Sequence, residues 1–352
     1  MWAGFLAYLG VLAWAPRLGP QAIWGAIVVL LTLFACIPPL LSHDVYSYVD
    51  YARLGVVHGL DPYVHSPSAA PGDPAFAHVT WTETTSAYGP LFTLATYPLA
   101  WLPAGAAVYA LKAASAAAIL GTAVLVARLA PDRGLNPTRA AAFVALNPLV
   151  LVHVAGGPHN DSIAVLLMTL GIAAVLAGHE RSGAGALLAA CATKVTAAVV
   201  LPFALLGAER RGRFLLGGLG AAALLTLIAC LAFGWSWLHA FALAGENQGR
   251  TSHMSIPITT ARLTGLDPDA TRLAFGLLYV ALIAYLLTWT ARGNDWLRAS
   301  AWAITGLLLA TAWLLPWYLL WPLPAAALSR DRALQLLVLG LTAYQLGARI
   351  PL

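Results

Sequence analysis

The sequence predicts an all-α polytopic membrane protein, and three observations carry that prediction. Sixty per cent of the 352 residues are hydrophobic and only 9% are charged, whereas a soluble domain carries roughly 25% charged residues. Apolar runs approaching the length of a full span, about 20 residues, recur along the whole chain. The basic residues fall in short clusters between those runs, the pattern that marks cytoplasmic connections. This distribution accounts for the net charge of +5 without nucleic acid, which is excluded as a partner. No polar domain interrupts the runs, so one integral domain is expected over residues 1–352, with external loops at about 42–87 and 234–270.

Trp2 to Trp14 is short for a span and Ile23 to Leu41 is adequate; Arg17 between them argues for a cytoplasmic connection. Arg17 follows the first apolar run instead of preceding it, the wrong order for a secretory signal, so a retained helix is expected. The chain then emerges on the outer face as Leu41 to Pro67, LSHDVYSYVDYARLGVVHGLDPYVHSP, a polar, aromatic and acidic stretch. In helical register Asp44, Tyr48, Tyr51, Gly55 and His58 share one face, and Val45, Val49, Ala52 and Val56 another. That is the pattern of an amphipathic helix at the interface. A loop rich in Pro, Ser and Gly runs from Ser66 to Pro74. The segment TETTSAYGPLFTLATYPLAWLP, with Pro90, Pro98 and Pro103, then suits a helix at or dipping into the boundary. Ala104 to Leu129 is a full span ending at Arg128 and Arg133.

If every later apolar run crossed fully, the cluster Glu209-Arg210-Arg211-Gly212-Arg213 would fall outside, against the positive-inside rule. Two broken helix pairs remove the conflict. Thr138 to Leu146 rises and breaks at Asn147-Pro148, the chain reaches the outer side near Gly156-Gly157-Pro158, and Ile163 to Ala177 returns. Gly183 to Ala192 rises to Lys194, and Thr196 to Ala208 descends. Non-helical backbone at membrane depth is tolerated only where it is buried in protein or lines a watery cavity, so the breaks predict a cavity. Phe214 to Phe233 then crosses outward, a long outer loop follows, and Leu273 to Thr290 returns. Trp302 to Leu315 rises, Pro316 to Leu328 descends, and Leu334 to Leu346 closes the chain. This arrangement of roughly ten to twelve membrane segments keeps 12 of the 19 basic residues in cytoplasmic connections.

Polar groups in such a chain need a reason, since ionisable side chains within it are costly. Asp44 either caps its helix or acts as a general base facing a watery cleft. Asp61, in Asp61-Pro62-Tyr63, makes a turn or touches sugar or phosphate. His159-Asn160-Asp161-Ser162 lies where the first pair turns back: Asn160 or Asp161 caps the next helix, or the cluster binds acceptor hydroxyls beside a helix start. Lys194 snorkels or binds a phosphate, and Lys112 presents the same choice. In the outer stretch ENQGRTSHMSIPITTAR, His253 and Arg262 are solvated or contact a phosphate. Cys36, Cys191 and Cys230 sit in apolar runs without a disulfide or metal pattern. The nine histidines lack metal-ligand spacing, and there is no Walker loop, GxGxxG or nucleophile elbow. A nucleotide-driven pump and a serine hydrolase are both disfavoured.

Taken in order, HDVYSYVDYARL with GLDPY, SAYGPL, NPLVLVHVAGGPHNDSIAVLLMTLGI, ATKVTAAVVLPFAL and LLPWYLLWPLP resemble the polyprenol-phosphomannose-dependent alpha-1,6-mannosyltransferases of actinobacteria, membrane enzymes of the class C glycosyltransferase fold. The matched segments spread from about residue 40 to 325, and their order and spacing make the match specific. The departure is length, since such relatives often carry more transmembrane segments, particularly at the N-terminus. The resemblance implies a class C glycosyltransferase-like bundle in the bacterial cytoplasmic membrane, with its active site facing the extracytoplasmic side. It would move a hexose, mannose in the family, from a polyprenyl-phosphate donor to a glycan or glycolipid acceptor. It also implies Asp44, at the start of the first large external loop, as the catalytic carboxylate, and Lys194 as the lysine between short paired helices.

The chemistry of the residues agrees. Inverting displacement of phosphate from an anomeric carbon needs one base on the acceptor hydroxyl and positive charge at the departing phosphate. It does not need the two carboxylates of a glycosidase. The expected roles are Asp44 as base; Lys194, Arg262 and Lys112 on the lipid phosphate; and Tyr48, Asp61, Tyr88, His159, Asn160 and Asp161 around sugar and acceptor. The leaving group is already a phosphate monoester, so neither a metal nor a cofactor is expected. The rival reading is a lipid-linked sugar transporter or flippase. Such proteins usually show internal repeats and midplane ionisable residues, whereas this chain has no visible repeat and most of its acids fall in outer loops.

Overall fold

The computed structural model describes residues 1–347, the side chains of Ala244, Asn247 and Gln248 aside. The chain is helical, with no strand among the described residues, as expected where backbone groups must be satisfied within their own segment. Helices α1 (Trp2–Trp14) and α2 (Pro20–Cys36) come first. α2 stops short of Leu41 because Pro38 and Pro39 follow, and Ile37 is extended as a residue before proline tends to be. α3 (Asp44–Val56) is the anticipated amphipathic helix, and α4 (Pro90–Thr96) runs into a 3-10 turn at Tyr97–Trp101. α5 (Ala104–Leu129) is the first full span.

Both anticipated breaks are present. α6 (Pro137–Ala145) stops at Asn147, whose Oδ1 accepts from the Leu149 N–H (3.0 Å) while Nδ2 donates to Thr342 Oγ1 (3.1 Å). The chain resumes as a π-helix, Val150–Ala155, and returns as α7 (Asp161–Leu176). α8 (Glu180–Thr193) ends at an extended Lys194, followed by a 3-10 stretch, Val195–Val200, and α9 (Leu201–Gly207). α10 (Arg211–Phe233) is a long apolar helix. The long outer loop expected at about 234–270 instead contains α11 (His239–Gly249) and α12 (Ile256–Thr264), the latter capped by the Ser255 hydroxyl. α13 (Pro268–Ala291) follows, with α14 (Trp296–Ala310), a 3-10 turn at Pro316–Leu320, α15 (Leu323–Leu328) and α16 (Arg332–Gly347) completing the chain. Between α14 and α15 lies a third break, with Leu315 extended ahead of Pro316.

α5, α10 and α13 are long and apolar enough to cross a membrane. α10 and α13 leave Leu219, Leu231, Leu273 and Leu278 exposed, the apolar outer face of a polytopic bundle. Inside, α6, α8, α14 and α15 are rich in buried alanine, and small residues let helices approach closely in such bundles. One end of the bundle is tied by charge. Arg133 donates to the Leu328 carbonyl (3.1 Å) and pairs with Asp295, while Arg298 and Trp302 both donate to Asp331 at 2.8 Å. α14 starts at that end and finishes about 22 Å away at 1.5 Å per residue. There the three breaks meet.

Candidate active site

The breaks enclose a cavity of about 280 Å³ walled by the start of α3, the segment before α4, the turn at His159 to Asp161, the turn at Lys194, the start of α11, Arg250 just beyond its end and residues between 311 and 321. Its position is set by backbone packing. The Leu40 N–H donates to the Gly156 carbonyl (3.1 Å), and a Cβ on Gly157 would stand 2.4 Å from the Leu40 carbonyl. The glycine pair therefore lets the approach to α3 lie directly on the first break. Gly89 does the same for α4: its N–H donates to the Thr193 carbonyl (3.2 Å), and a Cβ there would stand 2.1 Å from the Ala192 carbonyl.

Asp44 opens α3 without capping it. The helix has no side-chain cap, and the Asp44 N–H instead donates to the Ser42 hydroxyl (3.3 Å). The carboxylate turns into the cavity, with Oδ1 accepting from the Trp81 indole (3.3 Å) and Oδ2 lying 3.6 Å from His159 Nδ1. Burial pushes the Asp44 carboxyl above its ordinary value, against the opposing pull of the Trp81 hydrogen bond and the Lys194 charge. That shift moves it in the direction a general base requires. His159 is held flat on Trp317, with ring centroids 3.8 Å apart and planes inclined by 15°.

Asn160 and Asp161 likewise do not cap α7 through their side chains. Asn160 Nδ2 donates to the Thr193 carbonyl (3.4 Å), joining the first break to the second. Asp161 Oδ1 accepts from Trp321 Nε1 (2.6 Å) and pairs with Lys194 Nζ (2.7 Å). The Lys194 ammonium lies 5.0 and 5.3 Å from the ring centroids of Tyr318 and Trp321, which stack at 4.2 Å. Aromatic faces stabilise a partly desolvated cation, and the lysine keeps 18% of its side chain exposed. His159 Nε2, Asn160 Oδ1 and Asp161 Oδ2 are buried without a hydrogen-bond partner, a surplus of the kind found at functional sites. Tyr48, Tyr51 and Tyr88 line the same wall. Tyr48 packs edge-to-face with Tyr88 and Phe92 at 4.7 and 5.0 Å, and the Tyr51 hydroxyl donates to the Thr84 carbonyl (2.6 Å).

Asp44, Tyr48, Tyr88, His159, Asn160, Asp161 and Lys194 thus share one cavity, as the sequence led us to expect. Three other candidates do not. Lys112 is buried within α5 and donates to the carbonyls of Ala155 and Gly156, satisfying the end of the π-helix. Asp61 makes the turn reading good: Oδ1 accepts from the Tyr63 N–H (2.9 Å) and Oδ2 from the Ser236 hydroxyl. Arg262 is exposed in the last turn of α12, off the cavity wall. The shared face of α3 also divides. Gly55 packs under Tyr97, and His58 binds Asp73 (2.7 Å) beside Arg53 (2.8 Å). Trp81, Arg250, Trp317, Tyr318 and Trp321 stand in the wall without having been singled out. The aromatics of PWYLLW were a visible signal and Arg250 lies in the outer stretch ENQGRTSHMSIPITTAR, whereas Trp81 had no signal.

This cavity can be set beside known proteins. Residues 1–210 match the family model described as "Alpha-(1->6)-mannopyranosyltransferase, N-terminal domain". "Alpha-(1->6)-mannopyranosyltransferase A" of Mycobacterium tuberculosis is 34% identical over 325 residues, covering 82% of this chain and 61% of the relative. The chain belongs to this family. "Alpha-(1->6)-mannopyranosyltransferase A" of Corynebacterium glutamicum is 32% identical over 183 residues, 49% of this chain and 37% of the relative. "Alpha-(1->6)-mannopyranosyltransferase B" of the same organism is 26% identical over 369 residues, 87% of this chain and 58% of the relative. The chain therefore spans about three fifths of the length of the Mycobacterium family member. No solved structure matches it.

Proposed function

We propose that this family member transfers a hexose, mannose by its relatives' names, from a polyprenyl-phosphate donor to a hydroxyl of a glycan or glycolipid. The reaction inverts the anomeric centre and proceeds on the extracytoplasmic side of the bacterial cytoplasmic membrane. The observation that carries this reading is the division of charge along one cavity wall. The Asp44 carboxylate and the Lys194 ammonium are each held by different partners, Asp44 facing the His159 ring stacked on Trp317 and Lys194 lying over the stacked rings of Tyr318 and Trp321.

In the step, the acceptor oxygen attacks the anomeric carbon while its proton passes to Asp44. The bond from that carbon to the phosphate oxygen breaks, and the electron pair leaves with polyprenyl phosphate. Lys194 compensates the charge growing on that oxygen, an interaction stronger in the transition state than in the ground state. No step is routed through a metal, because the departing phosphate monoester is a competent leaving group beside an ammonium. His159, Asn160, Tyr48 and Tyr88 would orient the transferred sugar. The outward placement is supported by the cavity lying at the far end of α14 from the Arg133 and Arg298 cluster, the end that the positive-inside rule assigns to the cytoplasm.

The test is to incubate purified chain with labelled polyprenyl phosphomannose or GDP-mannose and a short mannoside. A mannosylated product of opposite anomeric configuration, formed from the lipid donor alone, is expected. Transfer from the nucleotide donor, or labelled lipid crossing liposomes without product, contradicts the reading.

A further inference from the structure

The contacts along the cavity wall form an ordered chain. Arg250 lies over the Trp81 ring at 5.0 Å, Trp81 donates to Asp44, Asp44 faces His159, and His159 stacks on Trp317. Trp317 meets Tyr318, which stacks on Trp321, and those two rings support Lys194. Asp44 therefore divides the wall. The phosphate-binding cation stands on one side, and Trp81 with Arg250 stands on the other.

A base must lie against the hydroxyl it deprotonates. With the donor's phosphate drawn to Lys194, the remaining neighbour of Asp44 is Trp81. Its indole N–H fixes the carboxylate, and 37% of the residue stays exposed. Both residues come from polar external segments rather than spans. Trp81 lies between α3 and α4, and Arg250 follows α11, where the neighbouring Ser252 N–H donates to the Ala312 carbonyl (2.8 Å) and anchors the strap to the third break. A broad, partly wet indole face suits a pyranose, whose axial C–H bonds pack on a π surface while its hydroxyls stay solvated. A sugar ring cannot fit between a guanidinium and an indole 5.0 Å apart.

We infer that Trp81 is the platform for the terminal hexopyranose of the acceptor, and that Arg250 covers this platform when no acceptor is bound. This rests on the transferase reading and adds to it the place of the acceptor. The arriving sugar displaces the guanidinium from the indole face and brings its nucleophilic hydroxyl to Asp44. Arg250 thus competes with the acceptor for one surface, so its removal should tighten acceptor binding.

The experiment is steady-state transfer by the full chain, with the KM for an alkyl mannoside and for polyprenyl phosphomannose measured separately. Trp81→Ala should raise the acceptor KM about tenfold and leave the donor KM within twofold; Trp81→Phe, which keeps a ring but loses the indole N–H, should raise it less. Arg250→Gln should lower the acceptor KM about threefold. Binding of the mannoside alone to wild type and Trp81→Ala, followed calorimetrically, gives the same ranking without turnover. An unchanged acceptor KM in Trp81→Ala, or a shift confined to the donor, overturns the platform. An unchanged or raised acceptor KM in Arg250→Gln overturns the cover. Wild-type chain that binds mannoside through Trp81 but transfers nothing from the lipid donor would instead sink the transferase reading.

Discussion

At the scale of single residues, the same side-chain type plays opposite parts according to what its neighbours lack. Lys112 and Lys194 are the only lysines in the chain, and both sit among apolar residues. Lys112 spends its donors on the carbonyls of Ala155 and Gly156, whereas Lys194 keeps part of its side chain exposed and its ammonium beside a carboxylate. Nothing in the sequence announces the π-helix whose end needs a donor, so the two looked alike. Lys112→Met should leave those carbonyls unsatisfied at a cost of about 1–3 kcal/mol; thermal unfolding in detergent should show the loss, while the folded fraction keeps its donor KM. Lys194→Gln should lower turnover about 10²- to 10³-fold, the scale of losing one preorganised donor to a developing anion. It should also shift the pH profile. In the proposed mechanism Asp44 works as an ionised base, so activity should fall as pH falls through its raised value. Lys194 pulls that value down, so its loss should carry the acid limb of kcat/KM to higher pH. A limb that stays in place, or moves down, contradicts the coupling.

At the scale of elements, the breaks were legible because each has a local cause. Asn147-Pro148, Gly156-Gly157-Pro158 and Leu315-Pro316 cannot continue a helix, and a charge budget along the loops decided where the remaining break had to fall. The mouth of the cavity was not legible, because Trp81 and Arg250 are brought there by tertiary contacts such as that between Ser252 and Ala312. The docking of α4 on the Lys194 turn depends on Gly89. Gly89→Ala should drive a methyl into the Ala192 carbonyl, costing about 1–3 kcal/mol and lowering the unfolding temperature. α3 carries a second pH response. Burial and the neighbouring Asp73 charge push the Asp50 carboxyl up to about 7, against His58 and Arg53. The folded state therefore holds that proton more tightly than the unfolded chain, whose carboxylate titrates near 3.9. The contribution is full below that value and is lost as pH rises toward about 7. Melting temperatures at pH 5 and 8 should fall more steeply for wild type than for Asp50→Asn; parallel slopes would contradict the assignment.

In the whole molecule the polar breaks gather at one end and the arginine-rich connections at the other. Single cysteines at Glu83 and at Arg211, in a background lacking the native three, should separate under an impermeant maleimide, the first labelling in intact cells and the second only after lysis. The proposed chemistry at the end that holds the breaks rests on one carboxylate. The decisive measurement is single-turnover transfer from polyprenyl phosphomannose by Asp44→Asn, with folding checked by its unfolding temperature and donor binding checked by KM. A loss of about 10²- to 10⁴-fold, the range of a general base, is expected, with donor binding retained. Transfer within tenfold of wild type by the folded variant would contradict it.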